Sequence, residues 1–182
     1  MHQYVALLRA INVGGHTVKM DRLRALFAAL GFSSIETFIA SGNVTFESSA
    51  ENTGDLEERI EQHLRQALGY EVATFIRSTT ELPAIAHHQP FSSTVPDAEG
   101  YALSIAFLKA PPSDEAREKL MRFRTEIDDF HLHQREVYWL CRTRVSQSTF
   151  SGALLEKALG MPATMRNVTT VRKLAARYAP PR

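Results

Sequence analysis

Two short loops carry the groups best suited to chemistry. In the first, Asn12, Gly14 and Gly15 follow an apolar run and stand a few residues before Lys19. Adjacent glycines let the backbone adopt φ > 0 and let another group approach the main chain, while the free N–H groups of a helix start, with a lysine beside them, favour negative charge. In the second, Ser41, Gly42 and Asn43 join two strand-like runs. Backbone N–H groups, two amides, a hydroxyl and a lysine are what an anion needs in exchange for its water. The same residues read equally well as turns whose Gly and Asn serve backbone geometry. They match neither the six-residue dinucleotide glycine pattern nor the phosphate loop ending in Gly-Lys-Ser/Thr, so the cofactor stays unknown and no reaction is named.

A second anion patch is readable at Arg166 and Asn167, against the plainer reading in which Thr169 or Thr170 caps a helix and Arg166 is a surface residue. His131 and His133, two apart on a strand, point to one face, but Phe130 and Leu132 define the other face as the buried one. A metal needs more ligands than two, and the pair His87 and His88 lies on a different element, so no metal site is assigned. Asp128 and Asp129 read as a turn leading into a strand rather than an acid/base pair. No nucleophile elbow, zinc-protease helix or Walker motif is present in the sequence, which leaves catalytic residues unknown and enzyme status open. Cys141, the single cysteine, sits beside Trp139 and Leu140 in an apolar run. It excludes an internal disulfide and any multi-cysteine metal site, and it reads as a small core residue.

The elements that must hold these loops follow from periodicity. Residues 4–10 are apolar on both parities, as in a central strand covered on both faces. Leu23, Leu26, Phe27 and Leu30 then mark a helix closed by Gly31. Residues 35–40 and 44–47 form a hairpin. Asn52 or Thr53 caps a helix striped with Leu56, Ile60 and Leu64 and stopped by Gly69, and residues 72–76 make a fourth strand. After a short helix containing Leu82, Ile85 and Ala86, residues 88–100 read as a connection. The pattern then returns: a strand at 101–110, a helix capped by Ser113 with Ala116, Leu120, Phe123 and Ile127 inside, a hairpin at 129–134 and 137–142, and a helix from about Thr149 to Gly160. Pro162 shortens the last strand, and Val171, Leu174, Ala175 and Tyr178 stripe a closing helix.

The return is also visible residue by residue. Ala67-Leu68-Gly69, Ala73-Thr74 and Arg77 are echoed by Ala158-Leu159-Gly160, Ala163-Thr164 and Arg166. The fold class expected is therefore α+β, as duplicated ferredoxin-like (β-α-β-β-α-β) units, each with a four-stranded antiparallel sheet and an extra C-terminal helix, split as residues 1–95 and 96–182. In such a sheet, ordered 4-1-3-2, the end of strand one and the turn between strands two and three share an edge, which brings Asn12, Gly14 and Gly15 beside Ser41, Gly42 and Asn43.

The stretches Tyr-Val-Ala-Leu-Leu-Arg-Ala-Ile-Asn-Val-Gly-Gly (4–15), Ala-Ser-Gly-Asn-Val-Thr-Phe (40–46) and Arg-Asn-Val-Thr-Thr-Val-Arg-Lys-Leu (166–174), in that order, resemble a widespread bacterial family classed only as a domain of unknown function. The resemblance spans nearly the whole chain and implies a similar duplicated fold, with no activity attached. This sequence departs from the family pattern at Ala10, where Gly is expected, at Ala40, where Gln is expected, and at Val168, where Trp is expected. The last change removes a stacking surface beside Arg166 and Asn167.

Composition narrows the function classes. With 182 residues, 44% hydrophobic and 23% charged, the chain can bury an ordinary core. It has neither a signal-peptide pattern nor an apolar run near the ~20 residues of a bilayer span, so the cytoplasm and no membrane partner are expected. Net charge is only +1, yet the C-terminal segment holds Lys157, Arg166, Arg172, Lys173, Arg177 and Arg182 without an acid, whereas residues 47–61 are rich in Glu and Asp. The favoured function is a binding module for an anionic ligand: a nucleotide, a phosphorylated metabolite or, ranked after these small molecules, nucleic acid. The strand at 44–47 lacks the aromatic, basic signature of RNA-stacking sheets. The rival is an enzyme acting on a phosphorylated or carboxylated small molecule through the same glycine loop. A third reading is a subunit that acts by pairing, for instance as a homodimer.

Overall fold

The computed structural model describes residues 1–12, 14–39, 42–91 and 100–178. These build a mixed α+β protein with two four-stranded antiparallel sheets and six α-helices. None of the described helices is long and apolar enough to cross a membrane.

The first sheet is set by β1 (His2–Leu8), whose residues from Tyr4 onward are all buried, as the run of apolar residues on both parities requires. It lies between β3 (Asn43–Ser48) and β4 (Thr74–Ser78), with β2 (Ser33–Thr37) outside β3. Tyr4, Ala6 and Leu8 face a core filled by Leu23 and Phe27 of α1 (Met20–Ala29) and by Leu56, Ile60 and Leu64 of α2 (Thr53–Leu68). Burying each of the Leu, Ile and Phe side chains contributes about 1.5–3 kcal/mol. Local chemistry ends both helices. Gly31 takes φ 83° after α1, and Gly69 takes φ 81° after α2, while the Asn52 side chain caps α2 by accepting from the N–H of Gly54 at 2.9 Å. From α2, the carboxylates of Glu57 and Glu61 accept from the backbone N–H groups of Ile76 and Thr74, each at 2.8 Å.

The second sheet repeats the order, with β5 (Ala102–Phe107) between β7 (Glu136–Cys141) and β8 (Thr164–Asn167), and β6 (Asp128–His133) outside β7. Its core joins Ala106, Phe130, Val137, Trp139 and Cys141 to Ala116 and Leu120 of α4 (Asp114–Met121) and Leu155 of α5 (Gly152–Leu159).

 The same contacts bring Phe150, Leu159 and Ala163 into that core. Ser113 caps α4 by accepting from the N–H of Ala116 at 3.2 Å. Ser151 caps α5, which runs Gly152–Leu159, by accepting from that of Leu154 at 3.3 Å. Helix α4 stops at Met121, so Phe123 and Ile127, expected inside it, lie beyond it and are exposed. The Thr125 hydroxyl accepts from the N–H groups of Ile127 and Asp128 at 3.1 and 3.0 Å, a local alternative to the helix that turns the chain into β6.

Two segments complete the chain: α3 (Leu82–His87) and α6 (Val168–Arg177). The described residues group as two units, Met1–Pro83 together with the segment from Leu174 onward, and Ala84–Lys173. The boundary expected at residues 95 and 96 falls outside the described residues. The end of α6 belongs to the first unit, where the Tyr178 hydroxyl meets Thr45 Oγ1 at 2.8 Å and Arg177 pairs with Glu36 at 2.6 Å.

Candidate functional site

The glycine loop is tied down at its base and along its length. Where β1 ends, the N–H of Leu8 donates to the carbonyl of Gly42 at 2.7 Å and that of Arg9 to the carbonyl of Ala73 at 2.9 Å. The chain then turns through Ala10, at φ 53°, and buries Ile11, whose carbonyl accepts from the Tyr70 hydroxyl at 3.3 Å. Asn12 closes the loop on itself, its Oδ1 accepting from the N–H of Val18 at 2.6 Å. Beyond it the His16 ring stacks on Tyr70 at 3.9 Å. Gly14 and Gly15 have φ 67° and 86°, a region that L side chains rarely adopt, and no atom lies within 4 Å of where a Cβ would stand on either.

Asn12, Gly14, Gly15 and Lys19 are all exposed and share one loop, and the Leu8–Gly42 bond brings the second loop against its base. Val13 and Ser41 lie outside the described residues. Helix α1 begins at Met20 rather than just after Gly15, because Val18 is buried and Lys19, at φ −67° and ψ 144°, is still extended. Lys19 is the N-cap residue and gives no side-chain cap. The loop and the helix start are therefore consecutive features, not one. Asn43 is buried, and its Nδ2 donates to the carbonyls of Phe38 and Ile39 at 3.0 and 3.1 Å, so the amide organises the turn.

In the second unit, Arg166 and Asn167 are neighbours in sequence with different duties. Arg166 is half-buried on β8, its Nη1 donating to the Met165 carbonyl at 2.8 Å and to Thr164 Oγ1 at 2.9 Å, and burial lowers its pKa to about 10. Asn167 turns the chain into α6, its Oδ1 accepting from the N–H of Thr169 at 2.8 Å, which is the capping duty expected of Thr169 or Thr170.

Two features escape a reading by local spacing. Asp128 is not a simple turn residue. It is buried, and it accepts from Trp139 Nε1 at 2.8 Å and from the Ser148 hydroxyl at 2.7 Å. The His88 ring lies 4.4 Å from that of His133 and 5.3 Å from that of His131, although only the last two share a strand.

Chemically, the glycine loop offers exposed main chain and the cations Arg9 and Lys19, in a stretch, residues 1–20, that contains no Asp or Glu. That combination favours holding negative charge.

Residues 1–138 match the family described as "Protein of unknown function (DUF1697)". The solved structure of the conserved bacterial protein SP0830 from Streptococcus pneumoniae is similar with a TM-score of 0.76 and 22% sequence identity, and the match covers 99% of each chain. At that identity the likeness concerns the fold alone. No curated protein matches the chain.

Proposed function

The chain belongs to the DUF1697 family of proteins of unknown function, and we propose that it is a binding module for a small anionic ligand, a nucleotide or phosphorylated metabolite, held at the Gly14-Gly15 loop. The observation that carries this reading is the pair of exposed, positive-φ glycines in an acid-free segment between Arg9 and Lys19. Its support is physical: a fixed loop loses little freedom on binding, and a main chain without Cβ atoms admits close approach. We assign the contact to Asn12, Gly14, Gly15 and Lys19, with Gly42 at the loop's base and the buried Asn43 organising the turn beside it. Arg166 and Asn167 form a separate patch of the second unit.

The test is an amide chemical-shift titration with inorganic phosphate and then with nucleotides and sugar phosphates. The expected result is a joint response of Gly14, Gly15, His16 and Gly42. Lys19→Ala should weaken it by about 1 kcal/mol, roughly fivefold, since Lys19 is exposed and screened. Shifts scattered over the surface, or an unaltered response in Lys19→Ala, would reduce both loops to turns.

We also read the two units as copies of one ferredoxin-like design. In support, Arg77 lies opposite Val5 and Arg166 opposite Ile105, each on the fourth strand of its sheet, and each donates through Nη1 to the carbonyl of the preceding residue at 2.8 Å. An overlay of β1–β4 on β5–β8 should place α1 and α2 on α4 and α5; helices falling on opposite faces would remove this reading.

A further inference from the structure

We propose that His88, His131 and His133 form a binding site for a divalent transition-metal ion of the zinc class. His131 and His133 are two apart on β6, so their side chains leave the same face of the sheet. The apolar partners Phe130 and Leu132 turn to the opposite face and its core. Opposite them on β7, His131 pairs with Tyr138 and His133 with Glu136. The third imidazole comes from the segment just after α3. The Tyr138 hydroxyl donates to the carbonyl of Ile85 at 2.8 Å, fixing that helix against β7, and the His88 ring then lies 5.1 Å from the Tyr138 ring.

One nitrogen from each of the three imidazoles lies within 4.8 Å of the others. Around a tetrahedral ion with metal–nitrogen bonds of about 2.0–2.1 Å, ligand nitrogens stand about 3.4 Å apart, so the rings need to turn inward by only about an ångström. Rotation about the side-chain torsions of His133, which is exposed, can supply that movement and also undo its stacking on His88. One further observation points to a ligand. His88 Nε2 is buried and makes no hydrogen bond, a state that a metal bond would relieve. Burial first, and then the neighbouring histidines, lowers the pKa of both His88 and His131, which keeps these rings in the neutral form that binds metals. Three imidazoles suit zinc, copper, nickel and cobalt rather than magnesium or calcium, and leave the fourth tetrahedral position for water.

The experiment is calorimetric titration of the tag-free, full-length chain with zinc chloride, with cobalt(II) absorption as a second readout of coordination. The expected result is one ion per chain and a cobalt spectrum of four-coordinate nitrogen and oxygen ligation. His133→Ala, at an exposed position that should leave folding intact, should weaken binding by more than the roughly 10- to 100-fold that loss of an outer-shell partner costs. His131→Ala should do the same, with far-ultraviolet circular dichroism checking the fold, while His87→Ala should leave affinity unchanged. Absence of zinc uptake, undiminished uptake in His133→Ala, or a loss in His87→Ala equal to that in His133→Ala would overturn the site.

Discussion

The indole Nε1 of Trp139 donates to Oδ1 of Asp128 across the β6–β7 pair at 2.8 Å, and both residues are almost wholly buried. The second carboxylate oxygen takes the Ser148 hydroxyl, so one acid anchors the start of β6, the middle of β7 and the turn before α5. Asp128→Ala leaves the buried Trp139 indole N–H and the half-buried Ser148 hydroxyl without their acceptor and is expected to cost about 1–3 kcal/mol. Equilibrium urea unfolding measures this directly. A cost below about 0.5 kcal/mol would show that neither bond contributes materially.

Ala10 is held at φ 53°, in the left-handed region. That conformation costs an L residue about 1–2 kcal/mol, whereas glycine's extra unfolded-state freedom costs about 0.5–1 kcal/mol. Ala10→Gly should therefore stabilise the chain by about 0.5–1 kcal/mol, and Gly15→Ala, at φ 86°, should destabilise it. Thermal unfolding of the two variants in parallel checks both signs; a less stable Ala10→Gly would mean that the loop relaxes out of this conformation when free to do so.

Hydrogen bonding to Arg177, and more weakly to Tyr178, holds the Glu36 carboxyl below the usual carboxylate pKa. A folded pKa below the unfolded one contributes stability above the unfolded value, about 4.3, and that contribution disappears as pH falls through the folded value. The stability difference between the native chain and Glu36→Gln should thus be largest near neutrality and close on acidification below about pH 4. Both groups are exposed, so the difference should also shrink in high salt. A gap that widens toward acid would reverse the assignment.

Much of the fold was legible because its signals are local. Asn52, Ser113, Gly31, Gly69 and Gly160 act within a turn of their own positions, and the apolar stripes of α1, α2 and α5 need only a helical period. The candidate loop is marked in the sequence as a chain segment, whereas its contacts are not. Asn43 looks like an exposed turn amide, but its direction depends on the carbonyls of Phe38 and Ile39 that it meets in the folded turn. Asp128 meets Trp139 only once the hairpin has closed. His88 reaches His133 only through tertiary folding, which periodicity cannot encode.

The carboxylates of Glu57 and Glu61 have a role at the rim of their sheet. Strand β4 is an outermost strand, and the N–H groups of Thr74 and Ile76 already have acceptors on α2. An incoming strand from another molecule would find these donors occupied and a helix in its path, so α2 acts as a guard against edge-to-edge association. Glu61→Ala, the milder change because Glu61 is half-buried, should uncover the Thr74 N–H and favour concentration-dependent self-association, measured by light scattering at matched fraction folded. Unchanged scattering would place the protection in the bulk of the helix alone. The acidic character of α2, which as composition speaks only of solvation, thereby becomes at Glu57 and Glu61 a device for keeping copies of the chain apart.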